Sequence, residues 1–368
     1  MLYNIATMNA SNIKGALLEY LVRKLLANCG FITVSPDNLY TYASGGLLYV
    51  NGRGAAHDAD VLMEPFVQMP FSYPSRVLFE CKAYDSKTTL PLIRNALGLK
   101  VDINEFEIVT KDSLEKRKNN RRSAYAIEQR KRYNYQVGVA SIGDFSKPAI
   151  EFAANNRIFL LSLSWFLHQT VIDAFHSIDQ QYIDHIGEDI VTHVYNFLKD
   201  RGPGVDHDDR HYMARGYLRN DLIIGRVITA FNEIINRLFV GIIESGDLIF
   251  LFAQNENSAY RLTDLQGLTG LRGQIHYSFQ RPDLWRLTVY QDIPTNTIVE
   301  FDFFVPQMIM SLWGEYNLDR AKAVQIKGEF FSRIFIFNRG IKPELPFFII
   351  DLDREWLNQV QEREEHLI

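Results

Sequence analysis

An aspartate that opens one apolar run, and a glutamate and lysine that close another, are the residues best suited to chemistry in this chain. Asp60 stands in His57-Asp58-Ala59-Asp60-Val61-Leu62-Met63, and Glu80 and Lys82 in Val77-Leu78-Phe79-Glu80-Cys81-Lys82. Residues two apart in a strand share a face, so Glu80 and Lys82 project together while Phe79 and Cys81 point the other way. A neighbouring strand that begins at Asp60 brings a second carboxylate to the same side. Asp60, Glu80 and the backbone carbonyl of Cys81 then offer the oxygen ligands that Mg²⁺ prefers, with water in the remaining positions, and Mn²⁺ can substitute. Such a cation acidifies water and polarises a phosphoryl oxygen. Lys82 is placed to orient the attacking water or to stabilise developing negative charge. The chemistry this set suits is phosphodiester hydrolysis.

These residues need a sheet to hold them and helices to cover it. Residues 11–28 read as a helix capped by Ser11 or Asn12, with Leu17, Leu18, Leu21, Val22, Leu25 and Leu26 at helical spacing. Gly30 ends it before a strand at 31–34. Strands follow at 47–50 and 59–64, separated by the turn signal Asn51-Gly52-Arg53-Gly54. A connection punctuated by Pro65, Pro70 and Pro74 leads to a strand at 76–83. Helices are expected at 90–97 and 121–132, a strand at 135–141, a helix at 148–155 and a strand at 158–163. This alternation predicts a mixed α/β domain over residues 1–163.

After Trp165 the pattern changes. Long helices are expected at 165–199 and 219–243, then a strand-like stretch at 246–304 with turns at Asn255-Glu256-Asn257 and Pro294-Thr295-Asn296. A helix near 306–323, strands near 330–337 and 347–351, and a charged helical tail complete the chain. Residues 164–368 therefore read as a second, α+β domain, for recognition, sensing or partner binding.

Composition narrows the classes. The 368 residues are 47% hydrophobic and 23% charged, near the globular average, so a folded protein is expected. A formal net charge of -5 excludes a general basic coat, and any nucleic-acid surface must be local. Nine basic residues against three acids between Lys111 and Arg132 supply one, with Arg117, Lys118, Arg121, Arg122 and Lys131 as candidate phosphate contacts. Most such runs are solvated loops, and it is the location of this one near the carboxylates that favours phosphate contact. Two cysteines, Cys29 and Cys81, are too few for a disulfide framework or a cysteine zinc site and read as buried thiols in a reducing compartment. The start of the chain carries no signal-peptide pattern and no apolar run approaches a membrane span, so a cytoplasmic, soluble protein without membrane contact is expected.

One family resemblance joins these residues. Lys14-Gly15-Ala16-Leu17-Leu18-Glu19, then His57-Asp58-Ala59-Asp60, then Glu80-Cys81-Lys82, resemble the PD-(D/E)XK nuclease superfamily in its Mrr-like restriction endonuclease branch. Ala149, Phe152, Ala153, Ile158 and Leu161, within Gly138 to Leu161, match that family's later helix and strand. The resemblance covers residues 11–163. It implies a restriction-endonuclease-like mixed sheet flanked by helices. Asp60 and Glu80 would be metal ligands, Lys82 the catalytic lysine and Glu19 an auxiliary acid. Ala59 departs from the proline that often precedes the aspartate in this family.

Other residues carry weaker signals. Glu19 has Arg23 at i+4 and also reads as half of a surface pair. Asp58 shares the strand face of Asp60 and could replace it. His57 could contact phosphate or hydrogen-bond locally. Gln129 and Tyr133 resemble a pair found near the metal in some branches of the superfamily, but the spacing from Glu80 is long and a helix-surface pair is the stronger reading. His207-Asp208-Asp209-Arg210-His211 has histidines at i,i+4, but a polar loop is the stronger reading. The expected function is a Mg²⁺-dependent endodeoxyribonuclease in restriction or anti-phage defence, with dimerisation plausible because two strands need two cuts. The rivals are a gated effector that is inactive until a partner or ligand binds the second domain, and a non-catalytic DNA-binding protein that keeps the nuclease fold.

Overall fold

The computed structural model describes residues 9–68, 73–106, 133–200, 211–219, 222–264, 270–292, 294–338 and 346–365. Its first helix, α1 (Ala10–Asn28), is capped by the Asn9 side chain, which accepts the Asn12 amide hydrogen. Apolar residues run around most of its circumference, so it is buried on several faces rather than along one stripe. Gly30, at φ +83°, turns the chain out of it into β1 (Phe31–Thr33).

A five-stranded sheet follows, in the order β1, β5 (Val61–Pro65), β6 (Ser75–Lys82), β7 (Asn134–Ser141), β8 (Phe159–Ser162). β1, β5 and β6 pair antiparallel, and β6, β7 and β8 pair parallel. Its two faces divide the core by strand parity. Val77, Phe79 and Cys81 of β6 pack with α1, whereas Leu78 packs towards α2 (Leu90–Asn104) and α3 (Lys147–Asn155). Gly138 of β7 is where Phe79 crosses closely: a Cβ there would meet the Phe79 ring at 2.5 Å. A small antiparallel sheet of β2 (Thr41–Ser44), β3 (Leu47–Asn51) and β4 (Ala56–Asp58) precedes β5. Gly45 and Gly46, both at positive φ, make its two-residue hairpin turn.

The expected helix at 165–199 is instead three: α4 (Gln169–His176), α5 (Gln180–Ile186) and α6 (Glu188–Lys199). His168 and Asp179 cap new starts, and Gly187 at φ +87° breaks the chain between α5 and α6. The expected helix at 219–243 is also corrected. α7 (Tyr212–Arg219) and α8 (Ile223–Ile235) are separate, and Leu238–Ile243 forms β9, because Leu-Phe-Val-Gly-Ile-Ile suits a buried strand. These helices share one core with α1 and the sheet, which continues through Phe197, Val227 and Phe231 to Phe250 and Phe337.

The remaining strands, β10 (Leu248–Ala253), β11 (Leu271–Ser278), β12 (Arg281–Gln291), β13 (Thr297–Phe304), β14 (Arg333–Phe337) and β15 (Phe347–Leu352), close with β9 into a seven-stranded barrel. Helices α9 (Glu256–Asp264), α10 (Gln307–Glu315), α11 (Arg320–Phe330) and α12 (Arg354–Glu365) accompany it. The expected turn at Asn255-Glu256-Asn257 is the start of α9, where Asn255 accepts the Asn257 amide hydrogen. The expected helix at 306–323 is two, α10 and α11, separated by Asn317 and Leu318 in left-handed conformation. The molecule is a mixed α/β fold, and among the described residues no helix is long and apolar enough to cross a membrane.

Candidate active site

Strand register sets the geometry. Val61 pairs with Phe79 and Leu62 with Leu78, so the antiparallel register puts Asp60 opposite Glu80, just before β5 begins. Asp60 Oδ2 accepts the Cys81 amide hydrogen at 2.8 Å. A strand residue's N–H and C=O point to the same neighbour, so the Cys81 carbonyl faces the Asp60 side as well. Lys82 Nζ donates to Glu80 Oε2 at 2.9 Å, both side chains about one-fifth exposed. Asp60, Glu80, the Cys81 peptide and Lys82 thus meet at the carboxyl end of β6.

The electrostatics are those of crowded carboxylates. Burial raises the Glu80 pKa first, and the negative charges of Asp60 and Asp58 raise it further, against the opposing pull of Lys82. Burial alone would lower the Lys82 pKa, but Glu80 and Asp60 outweigh it and hold the ammonium charged. The buried Cys81 thiol is pushed well up by burial and by the charges of Asp60, Glu19 and Glu80, so this cysteine is an inert thiol. Asp58, exposed at the end of β4, comes within electrostatic reach of Glu80 from the small sheet.

Other candidates are placed elsewhere. Glu19 is buried on α1, on the side of the sheet where Cys81 points, and both of its carboxylate oxygens accept from Lys199 Nζ at 2.7 Å. Arg23, one turn along α1, donates to the Leu198 carbonyl. His57 lies on β4 and joins Asp102 of α2 through Nε2 at 2.7 Å. Gln129, Arg117, Lys118, Arg121, Arg122 and Lys131 lie outside the described residues, as does His207. His211 bonds to Asp200 at 2.6 Å, and Tyr133 packs under the Arg76 guanidinium, 3.4 Å from the ring centroid. Among the described residues no group of three or more His, Cys, Asp or Glu stands close enough to form a metal cage.

Asp102 organises the turn before β4. It accepts from the Gly54 and Ala55 amides, and a Cβ on Gly52 would strike its carboxylate. The His57 hydrogen bond, more than the opposing burial, lowers the Asp102 pKa. A depressed carboxylate stabilises the fold above its unfolded pKa and loses that effect as pH falls through the folded value. Asp102→Asn should therefore cost less than about 1 kcal/mol at neutral pH, because solvent screens a partly exposed carboxylate, and the deficit should close below the ordinary carboxylate range. Urea unfolding at both conditions reads this, and a deficit that persists in acid would exclude the charge as its source.

Sequence reading gave no warning of Lys199, which lies 180 residues from Glu19. Nor did it find the node where Lys14 Nζ at 2.8 Å and His176 Nδ1 at 2.6 Å share Asp85 Oδ1, three residues past Lys82. The signal for that node is faint: Lys14 lies in the buried part of α1, and its ammonium reaches the exposed Asp85. A cavity of about 340 Å³ between the Phe159 end of β8 and β10 has Trp165, stacked on Phe304 at 4.7 Å, on its wall. It holds none of Asp60, Glu80 and Lys82.

No family model matches the chain, and no curated protein matches it. A crystal structure of a protein of unknown function aligns with 60% of this chain and 99% of its own length, at 14% identity and a TM-score of 0.28. That likeness is too loose to carry an argument about fold or activity.

Proposed function

We propose that this chain is a Mg²⁺-dependent endodeoxyribonuclease of the PD-(D/E)XK type, Mrr-like, acting in restriction or anti-phage defence. The observation that carries this reading is the opposition of Asp60 and Glu80 across β5 and β6, with Asp60 bonded to the Cys81 amide and Lys82 beside Glu80. Supporting it is the element order α1, β1, β5, β6, α2, β7, α3, β8 around a mixed sheet, which agrees with a restriction-endonuclease-like core.

The donor set fits a hard divalent cation. Two crowded carboxylates, one with its proton affinity raised by burial and then by the other's charge, gain from a cation between them. Asp60, Glu80 and the Cys81 carbonyl would hold it, and bound there it would supply acidified water and a polarised phosphoryl oxygen. Asp60 is oriented for this by the Cys81 amide, which donates to its Oδ2. Lys82, kept cationic by its neighbours, places positive charge where the phosphorane-like transition state gathers negative charge.

Plasmid and linear phage DNA should be cut by the full chain with Mg²⁺ or Mn²⁺ and left intact with EDTA. Absence of cutting by the folded protein under any cation would remove basal nuclease activity. Calorimetric cation titration would then separate a gated effector, which binds the cation, from a DNA-binding protein, which does not. A gated effector is favoured as the second reading by one observation: the Glu19 carboxylate is held by Lys199, from the half of the chain beyond the nuclease resemblance.

A further inference from the structure

We propose that the cavity between β8, the outer strand of the sheet, and the barrel is a binding site for a nucleobase carried by a free nucleoside. The inference is independent of the nuclease reading, since the cavity holds none of Asp60, Glu80 and Lys82.

The walls of the cavity are built by three strand ends. β6, β7 and β8 run parallel, and open sheets with parallel strands bind ligands beyond the carboxyl ends of those strands. Lys87, Asp144 and Trp165 line the cavity and follow β6, β7 and β8 in turn. The loops that carry them are fastened to one another and to the sheet. The Thr88 amide donates to the Asp144 carbonyl at 3.0 Å, the Ser146 amide to the Thr88 carbonyl at 2.9 Å, and the Ser164 amide to the Ile142 carbonyl at 3.1 Å. The opposite wall belongs to the barrel, at the start of β10, the end of β13 and the start of α10. Such a space is preformed, and at about 340 Å³ it lies within the range of small-molecule sites.

The lining selects a flat ligand. Ile150, Phe159, Phe250, Val305 and Met308 make much of it apolar. Trp165 lies against Phe304, with ring centroids 4.7 Å apart and planes 24° from parallel, and a second space of about 460 Å³ flanks the same pair. A flat ring added to this stack gains as a base does on an aromatic side chain. Trp285 and Trp313 donate their indole N–H groups to backbone carbonyls. Among the described residues the Trp165 N–H has no acceptor, and it offers a donor to a heterocycle.

Charge then separates the ligand classes. Lys87, Arg157 and Arg281 on the walls are matched by Asp144, Asp247 and Asp283, and Asp302 is taken by Arg286 at 2.8 Å. The Lys87–Asp144 pair is 3.9 Å apart and the Arg281–Asp283 pair 3.4 Å, all four side chains about half exposed or more. Such loose pairs hold their partners weakly and leave donors and acceptors for a ligand. With both signs present, neither an anion nor a cation is favoured. A neutral planar heterocycle with N–H groups and ring nitrogens or carbonyls on one edge suits this rim, and a nucleobase has that edge. A polynucleotide strand needs a basic track for its phosphates, which a charge-matched rim does not supply, so the base arrives as a nucleoside.

The test is calorimetric titration of adenosine, guanosine, cytidine and thymidine, each alone, into the full chain. At least one should bind saturably, with one site per chain and more tightly than inorganic phosphate, agmatine or a short single-stranded oligonucleotide. Trp165→Ala should lower that affinity about ten- to hundredfold, the loss of one base–aromatic stack, and Trp165→Phe, which keeps a ring, should lower it less. Ala154→Phe adds a ring on the α3 wall without removing a partner and should block binding. No saturable binding of any nucleoside would overturn the assignment, as would tighter binding of phosphate, agmatine or the oligonucleotide. A nucleoside affinity unchanged in Ala154→Phe would overturn it as well, because the ligand would then sit elsewhere. Should Trp165→Ala not fold, Trp165→Phe and Ala154→Phe carry the decision.

Discussion

Lys82→Ala is expected to lower DNA cleavage by about 10²–10³-fold, the effect of removing one preorganised stabiliser of transition-state charge, while leaving divalent-cation binding in place. The ammonium lies 2.9 Å from Glu80 Oε2 and is no part of the oxygen donor set. Its loss removes a positive charge from beside the cation, so affinity at neutral pH should hold or rise. A second consequence separates this variant from a general defect. Lys82 opposes the burial and the Asp60 charge that raise the Glu80 pKa, so without it Glu80 keeps its proton to higher pH. Cation binding should then be lost at a higher pH in Lys82→Ala than in wild type as the solution is acidified. Cleavage rates and calorimetric titrations over a pH series read both effects. Wild-type turnover by the variant would take the lysine out of the mechanism.

The parts of this site legible in the sequence are those fixed by strand parity. Glu80 and Lys82 share a face because they are two residues apart in an extended run, and Asp60 joins them because an apolar run starts immediately after it. Such arguments need only short-range geometry. Glu19 shows where they stop. An amphipathic helix with an arginine at i+4 suggests an exposed pair, yet α6 and α8 cover the outer side of α1 and bury both residues. Periodicity reports which residues are apolar, not how many surfaces a helix meets. His57 and Asp102 fail for a similar reason, since the partner comes from α2 and no pattern joins positions 45 residues apart.

The second half was legible at the level of apolar runs and not of topology. Apolar segments after residue 246 were recognisable as strands, while Leu238–Ile243 read as helix, and closure into a barrel depends on β9 meeting β14 and on β11 running parallel to β15. Those pairings join segments far apart in the chain, which bury Phe239, Ile336, Ile275 and Ile350 in the barrel core. The breaks at Gly187 and at Asn317-Leu318 turn on single backbone conformations, which apolar periodicity does not register.

Replacing either carboxylate should reduce cleavage by about 10³-fold or more, because a catalytic cation contributes several kcal/mol and each 1.36 kcal/mol is tenfold in rate. Cation affinity should fall with it. The two positions should differ in stability. Asp60→Ala removes the acceptor of the Cys81 amide and should cost about 1–2 kcal/mol, whereas Asp60→Asn keeps an oxygen there and should lose activity with little change in stability. Glu80 behaves in the opposite sense. Its raised pKa means that the folded state disfavours the carboxylate, so the fold is most stable below the unfolded pKa and loses stability as pH rises through the folded one. Glu80→Gln should therefore be inactive and yet more stable than wild type at neutral pH without cation, the advantage fading in acid. Thermal unfolding at the two pH values, with and without Mg²⁺, measures this. An active Glu80→Gln would end the two-carboxylate mechanism, and an inactive one that is less stable at neutral pH would show that Glu80 serves the fold and not a cation.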